Sequence, residues 1–112
     1  MSNTNESPLV DCAGQSEVQS GTLFIRKVRL AGEGESVGGH AHEFDHTTIF
    51  LRGSVAIHTY DPRCGCEHDD VAKAGDHMLI EAEVIHNLTA LDDTGAEFWC
   101  VYADGPEHGR CV

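Results

Sequence analysis

Short segments in which apolar and polar residues alternate, each ended by a polar or glycine-containing turn, run through most of this chain. The longest begins at Thr22, where Phe24, Arg26, Val28 and Leu30 alternate with Leu23, Ile25, Lys27 and Arg29 over a β-branched and aromatic background. No stretch keeps a helical period for three turns, so the pattern predicts an all-β sandwich or barrel. The predicted strands cover residues 22–30, 46–51, 55–60, 71–74, 78–80, 84–91 and 96–103.

The chain length of 112 residues fits a single domain. Residues 1–21 are rich in small polar side chains and are predicted to form a flexible N-terminal lead-in or an edge strand. Residues 22–104 are expected to form the β-barrel, and residues 105–112 a polar C-terminal tail. Within the barrel, residues 61–70 are predicted to form a polar loop.

Seven basic residues stand against 19 acidic ones, which gives a formal net charge of −12. This balance argues against a nucleic-acid partner and against an anionic membrane surface, because both would repel the chain. There is no apolar run of the length that a membrane helix needs, and from the polar residues 1–6 we expect no secretory signal. The five cysteines are an odd number, and two of them share one short loop, so we expect reduced thiols and a cytoplasmic location.

Four of the eight histidines have a spacing typical of a metal site. His40 and His42 are two residues apart, so on a strand both imidazoles lie on one face. His46 follows after a predicted bend at residues 43–45, and His86 lies on a distant predicted strand that a β-sandwich can bring opposite the first pair. Imidazole suits divalent transition metals such as Fe, Zn and Ni, so the pattern predicts one such ion.

The glycines around these histidines extend the pattern. Gly34, His40, His42, His46 and Gly53 follow one another with five, one, three and six intervening residues. This run resembles the first conserved motif of the cupin superfamily, with His46 in the slot that usually holds Glu. Gly75 and His86 resemble the opening glycine and the histidine of the second cupin motif. Two features differ from that second motif: residues 81–83 read Glu-Ala-Glu where Pro-x-Gly is usual, and Ala90 stands where Asn is common.

The resemblance implies a cupin-type double-stranded β-helix, or jelly roll, and a homodimer. It implies a mononuclear metal centre held by His40, His42, His46 and His86, with His46 either a ligand or a residue beside the ligands. Iron cupins with three histidines include dioxygenases, and zinc cupins with four include cyclases. We therefore expect a metal-dependent, dioxygenase-like enzyme acting on a small organic molecule. A non-redox zinc or nickel cyclase, isomerase or lyase is one alternative, and a non-catalytic metal-binding, ligand-binding or sensor module is another.

Other side chains are weaker candidates. Glu43 is a candidate general base, Tyr102 a candidate pocket residue, and Glu43 or Asp45 an alternative anionic ligand. Phe98, Cys100 and Tyr102 share one face of the last predicted strand, with core packing as the commoner role of such residues. Phe50, Met78 and Ile80 are similar candidates for pocket walls or for core.

Two further groups have a functional and a plain interpretation. Arg26 and Arg52 are the basic residues on strands that could meet a carboxylate, although surface salt bridges are the commoner use. Cys64, Cys66 and His68 suggest a second metal site, which Cys111 and His108 could complete. The plain alternative for that segment is a solvent-exposed loop with free thiols.

Overall fold

A computed structural model describes residues 10–12 and 14–103, which form ten strands in two antiparallel sheets. The predicted all-β jelly-roll fold is confirmed. The strands are β1 (Val10–Cys12), β2 (Gln15–Ser20), β3 (Leu23–Leu30), β4 (Ser36–His40), β5 (His46–Arg52), β6 (Ser54–Asp61), β7 (Cys66–Lys73), β8 (His77–Ile80), β9 (Ile85–Ala90) and β10 (Ala96–Tyr102).

The larger sheet has the order β1-β2-β3-β10-β5-β8. Its centre is the pairing of β10 with both β3 and β5, where Phe98 lies opposite Val28 on one side and Phe50 on the other. β1 and β2 lie within the segment that was predicted as a lead-in or edge strand, and β2 pairs with β3 over six residues. The division into residues 1–21, 22–104 and 105–112 stays a prediction.

The smaller sheet has the order β4-β9-β6-β7, and its edge strand β7 corrects the sequence prediction. The polar loop expected at residues 61–70 ends earlier, because β7 begins at Cys66 and pairs with β6 as far as Lys73. The first six residues of β7 are all exposed, so they carry no apolar alternation that could reveal a strand. Cross-strand pairs stabilise it instead, among them His58 Nδ1 with Asp69 at 2.7 Å. This hydrogen bond and the charges of Asp69 and Glu67 raise the pKa of His58.

The interior is divided along its length, because the inward-facing positions of each strand change from polar to apolar in the same direction. On β9 they pass from His86 to Leu88 and Ala90, and on β5 from His46 and Thr48 to Phe50. The apolar end of the interior is a packed cluster of buried residues: Val28, Leu30, Phe50, Val55, Ile57, Ala72, Leu88, Ala90, Ala96 and Phe98.

Glycine is required where the backbones meet at this apolar end. Gly95 has a positive φ of 81°, and a Cβ there would overlap the carbonyl oxygen of Leu30. Gly53 has a φ of 77°, and a Cβ there would in turn overlap the carbonyl oxygen of Gly95. Three chain segments therefore cross in direct backbone contact and close this end of the barrel.

The outer face of the larger sheet exposes apolar side chains, including Ile49, Leu51 and Leu79. On the same face the Lys27 ammonium lies 4.8 Å from the Trp99 ring centre. The homodimer predicted from the sequence stays a prediction. Across the part of the chain described here, no helix is both long and apolar enough to cross a membrane.

Candidate metal centre

Three of the four predicted ligands come together at the polar end of the interior. The ring centres of His42 and His46 are 5.2 Å apart, those of His42 and His86 are 5.2 Å apart, and those of His46 and His86 are 5.1 Å apart. His46 and His86 are buried, and His42 is half-buried. The rings come from the β4–β5 connection, the first residue of β5 and strand β9, so residues far apart in sequence surround one point.

A hydrogen bond to the residue just before β9 orients the His86 ring. Its Nδ1 lies 3.1 Å from the carbonyl oxygen of Val84. A carbonyl oxygen only accepts, so Nδ1 donates the proton of this hydrogen bond. Ligating histidines in proteins are commonly oriented by such a bond on the second ring nitrogen.

His40 lies next to His86 in the smaller sheet, since β4 and β9 pair with His40 opposite His86. A register shift between Gly38 and His40 makes this arrangement possible. Gly38 has a φ of 121°, and a Cβ there would overlap the carbonyl oxygen of His86. Only glycine fits this close approach of the two strands, which accounts for Gly38 in the sequence.

The β4–β5 connection is anchored to the turn between β8 and β9. Glu83 N–H donates to the carbonyl oxygen of His42 at 2.7 Å, and Ala82 N–H donates to the Asp45 carboxylate at 2.7 Å. Glu83 stands in the glycine slot of the motif and has a φ of 72°, the left-handed conformation that glycine adopts readily. The turn therefore keeps the motif's shape without its usual residues, at the cost of a left-handed Glu83.

The imidazoles lie on the wall of a cavity of about 40 Å³, enough for a few water molecules. Phe44 covers part of it, since its ring stacks on His42 at 5.0 Å and lies 4.7 Å from the Tyr102 ring. The remaining lining is mostly apolar. The cavity residues are Arg26, Val28, Val37, Gly38, His42, Phe44, His46, His86, Leu88, Phe98, Cys100 and Tyr102.

One cation also lines this cavity. Arg26 is buried, its Nη2 lies 3.6 Å from Glu17 Oε2, and its Nη1 donates to the Gln15 side chain at 3.3 Å. The side chain of Glu17 is 0 % exposed. For Arg26 the surface salt bridge that was considered commoner is therefore wrong. It describes Arg52, whose Nε contacts Glu97 at 2.9 Å with both side chains about 40 % exposed.

The position of Arg26 was visible in the sequence pattern, but its partner was not. Arg26 occupies the same face of β3 as Phe24, Val28 and Leu30, all of which are buried. An arginine in step with three core residues needs a buried counter-charge. Glu17 supplies it from β2, a strand with weak apolar alternation, which gave no sign that this carboxylate faces inward.

Cys100 supplies a thiol to the same cavity. Its Sγ lies 3.6 Å from the Thr48 hydroxyl, which is itself fully buried. Burial raises the pKa of Cys100 to about 11, despite the opposing hydrogen bond to Thr48. The group is therefore a neutral thiol at pH 7 rather than a thiolate.

Several other candidates lie elsewhere. Glu43 is exposed, and the Asp45 carboxylate accepts the Ala82 N–H, so neither lines the cavity. Phe50 and Ile80 are buried core residues rather than cavity walls, and Met78 packs against the core. The remaining described histidines, His58, His68 and His77, are exposed, and His108 lies outside the described residues.

The second metal site is not supported either. Cys64 and Cys66 are joined by a disulfide, so both sulfurs are already bonded, and Cys111 lies outside the described residues. This bond also corrects the expectation of free thiols in the loop.

The three imidazoles fit a metal ion by their positions. Two imidazoles bound to one tetrahedral ion, with metal–nitrogen bonds of 2.0–2.1 Å, place their ring centres about 5 Å apart. Among the side chains that the structure describes, no three His, Cys, Asp or Glu already have donor atoms placed to hold an ion together. Rotation of the rings would therefore have to accompany metal binding.

No family model matches the chain, and no curated protein matches it. Solved structures do, and among them are several of oxalate decarboxylase from Bacillus subtilis. They include a tryptophan-to-phenylalanine variant and a structure determined to assign the EPR parameters of its Mn(II) centres. A further match is an oxalate decarboxylase structure that addresses the substrate-binding mode. Each has a TM-score of 0.74 and 24% identity, and the match covers 94–95% of this chain and 29% of the decarboxylase chain.

These similarities concern the fold. They identify the two sheets as a cupin-type jelly roll, in agreement with the sequence motifs. The chain spans less than a third of the decarboxylase chain that it matches.

Proposed function

We propose that this chain is a mononuclear metal-dependent enzyme that acts on a small organic molecule, with dioxygen as the second substrate. The observation that carries the proposal is the triangle of imidazoles, His42, His46 and His86, with ring centres 5.1–5.2 Å apart on the wall of a small cavity.

We propose His40, His42, His46 and His86 as the ligand set. The support for His40 is its register position beside His86, and the support for His86 is its burial on the cavity wall beside His42 and His46. A set of neutral imidazoles would leave the full charge of a divalent ion in place. Such an ion supplies a Lewis acid and, where it is redox-active, electrons for reaction with dioxygen.

The chain's own residues would select and hold the substrate. Arg26 lines the mostly apolar cavity with its charge balanced by Glu17, and its guanidinium would act as a hydrogen-bond donor to a carboxylate or enolate oxygen of a small molecule. The cavity volume of about 40 Å³ admits only a few heavy atoms before Phe44 or its neighbours must move. The neutral Cys100 thiol adds little charge, so Arg26 and the ion would determine binding.

Manganese joins iron, zinc and nickel as a candidate metal. The predicted list did not contain it, and the structurally similar decarboxylase contains Mn(II) centres. Hard ligands such as carboxylates favour manganese, whereas imidazoles favour iron, nickel and zinc. We therefore keep iron as the first candidate for a site without a carboxylate.

The test is to measure bound metals in tag-free protein by elemental mass spectrometry. His86→Ala and the double variant His40→Ala/His86→Ala are compared with His77→Ala, in which an exposed histidine of β8 is removed. We expect about one equivalent of metal in the wild type and in His77→Ala, and at least a tenfold loss in the other two variants. Equal metal content in all four proteins would contradict the ligand assignment.

Metal identity and turnover then separate the reaction classes. Iron together with oxygen uptake in the presence of small carboxylic acids, thiols or diketones would support the dioxygenase proposal. Zinc or nickel without oxygen uptake would favour a cyclase, isomerase or lyase. A stoichiometric metal with no turnover on any of these substrates would favour a binding module.

A further inference from the structure

The turn between β6 and β7 contains a bonded cysteine pair that the proposed function does not use. Cys64 and Cys66 are joined by a disulfide, and both residues are exposed. Their Cα atoms are 5.3 Å apart, within the ordinary range for a disulfide. The question is what a cross-link between residues two apart can do.

The bond is a poor structural cross-link. The stabilisation from a disulfide increases with the length of the loop it closes, and this loop contains one intervening residue. The turn is already closed by β6–β7 pairing up to Asp61 and Cys66, and by Gly65 N–H donating to the carbonyl oxygen of Asp61 at 2.8 Å. Breaking the bond would therefore leave the hairpin in place.

The two sulfurs are also placed for reaction with other molecules. They lie in an exposed turn, whereas Cys100 lies on the cavity wall with a pKa raised by burial to about 11. Exposure allows an attacking thiolate to approach. The Arg63 side chain next to Cys64 is paired with the Asp61 carboxylate at 2.9 Å, so it adds little net charge there. Chemistry at this pair is therefore separate from the buried thiol.

The pair lies at the same end of the barrel as the histidines. The Arg63 charge is within electrostatic reach of Glu81 and Glu83, which belong to the turn between β8 and β9. That turn donates its Glu83 N–H to the carbonyl oxygen of His42. The exposed disulfide thus stands near the rim of the cavity rather than at the apolar end.

We propose that Cys64 and Cys66 form a reversible redox site that oxidises dithiols. A thiolate of the dithiol attacks one sulfur of the pair, the Cys64–Cys66 bond breaks, and the released cysteine thiolate takes up a proton. The second thiol of the dithiol, after losing its proton, attacks the mixed disulfide and releases the other cysteine. The dithiol loses two electrons and two protons and becomes a disulfide, and the cysteine pair gains both and becomes two thiols. This activity does not depend on a metal in the histidine site.

The experiment follows the oxidation state of the pair in folded, tag-free protein. Dithiothreitol reduces it, oxidised glutathione reoxidises it, and differential alkylation with peptide mass mapping assigns the reacting cysteines. We expect Cys64 and Cys66 to cycle together, with Cys100 unmodified throughout. We also expect the melting temperature to change by less than about 2 °C on reduction, since the bond closes so short a loop.

Turnover provides a second readout with matched controls. Oxidation of dithiothreitol by oxidised glutathione is measured with wild type, Cys64→Ser/Cys66→Ser and Cys100→Ser. We expect wild type and Cys100→Ser to exceed the double serine variant by about tenfold or more. Equal rates in all three proteins would overturn the proposal. So would a pair that stays oxidised in the folded state, or a melting temperature that drops by more than about 5 °C on reduction, because the bond would then be a structural one.

Discussion

The two ends of the barrel interior are built from the same strands and have opposite properties. At one end, Phe50 and its neighbours pack into an apolar cluster closed by backbone contacts at Gly53 and Gly95. At the other end, imidazoles, a buried ion pair and a thiol surround a small cavity. The inward-facing residues, every second one along a strand, therefore stabilise the fold at one end and carry the candidate functional groups at the other.

The largest expected effect is at the apolar end. Phe50 is 1 % exposed and contacts Phe98 with a ring separation of 5.8 Å, so Phe50→Ala should lower the free energy of unfolding by about 4 kcal/mol. Denaturant unfolding measures this change. Metal content at low temperature should stay at the wild-type level, because Phe50 does not line the cavity. A simultaneous loss of metal from folded protein would show that the two ends are coupled.

The next effect concerns the ion pair at the cavity end. Glu17→Gln leaves the buried Arg26 without its carboxylate partner and should destabilise the protein by about 3 kcal/mol. The double variant Glu17→Leu/Arg26→Met removes both charges and should recover most of that loss. Chemical denaturation of the two variants tests the difference. If the double variant were no more stable than Glu17→Gln, the loss would come from packing rather than from the unpaired charge.

The smallest effect is a gain in stability at the cavity rim. Glu83 has a φ of 72°, so Glu83→Gly removes a left-handed penalty of about 1–2 kcal/mol and adds an unfolded-state entropy cost of about 0.5–1 kcal/mol. We expect a net stabilisation of about 0.5–1 kcal/mol, measured by thermal unfolding beside Glu81→Gly as the control. A destabilised Glu83→Gly would mean that the Glu83 side chain makes a contact worth more than its backbone strain.

The fold and the histidine triangle followed from local signals. Strand alternation predicted an all-β sandwich or barrel, and the resemblance to the cupin motifs implied the jelly roll. Of the predicted ligands His40, His42, His46 and His86, the structure brings the rings of the last three within 5.2 Å of one another. The alternation recurs at every second residue, and the histidines have a fixed motif spacing. Both can therefore be recognised in the sequence without knowledge of the tertiary contacts.

The features that the sequence did not predict depend on partners distant in the chain. The first six residues of β7 have no apolar alternation, so the strand gave no sequence signal. Its pairing with β6 and the contacts of His58 with Glu67 and Asp69 stabilise it instead. The inward-facing Glu17 is explained only by Arg26, nine residues later on the next strand. The Cys64–Cys66 bond depends on the β6–β7 turn, which brings the two Cα atoms to 5.3 Å. The odd number of cysteines, from which reduced thiols were expected, carries no information about that turn.

The closed apolar end determines how small molecules can enter and leave the cavity. Because Leu30, Gly53 and Gly95 meet in backbone contact and the packed cluster fills the space above them, the interior is blocked on that side. Molecules would have to enter and leave on the histidine side, past Phe44 and the β4–β5 connection. Substrate and product would then share one passage. A product molecule still in the cavity would block the next substrate and act as a competitive inhibitor.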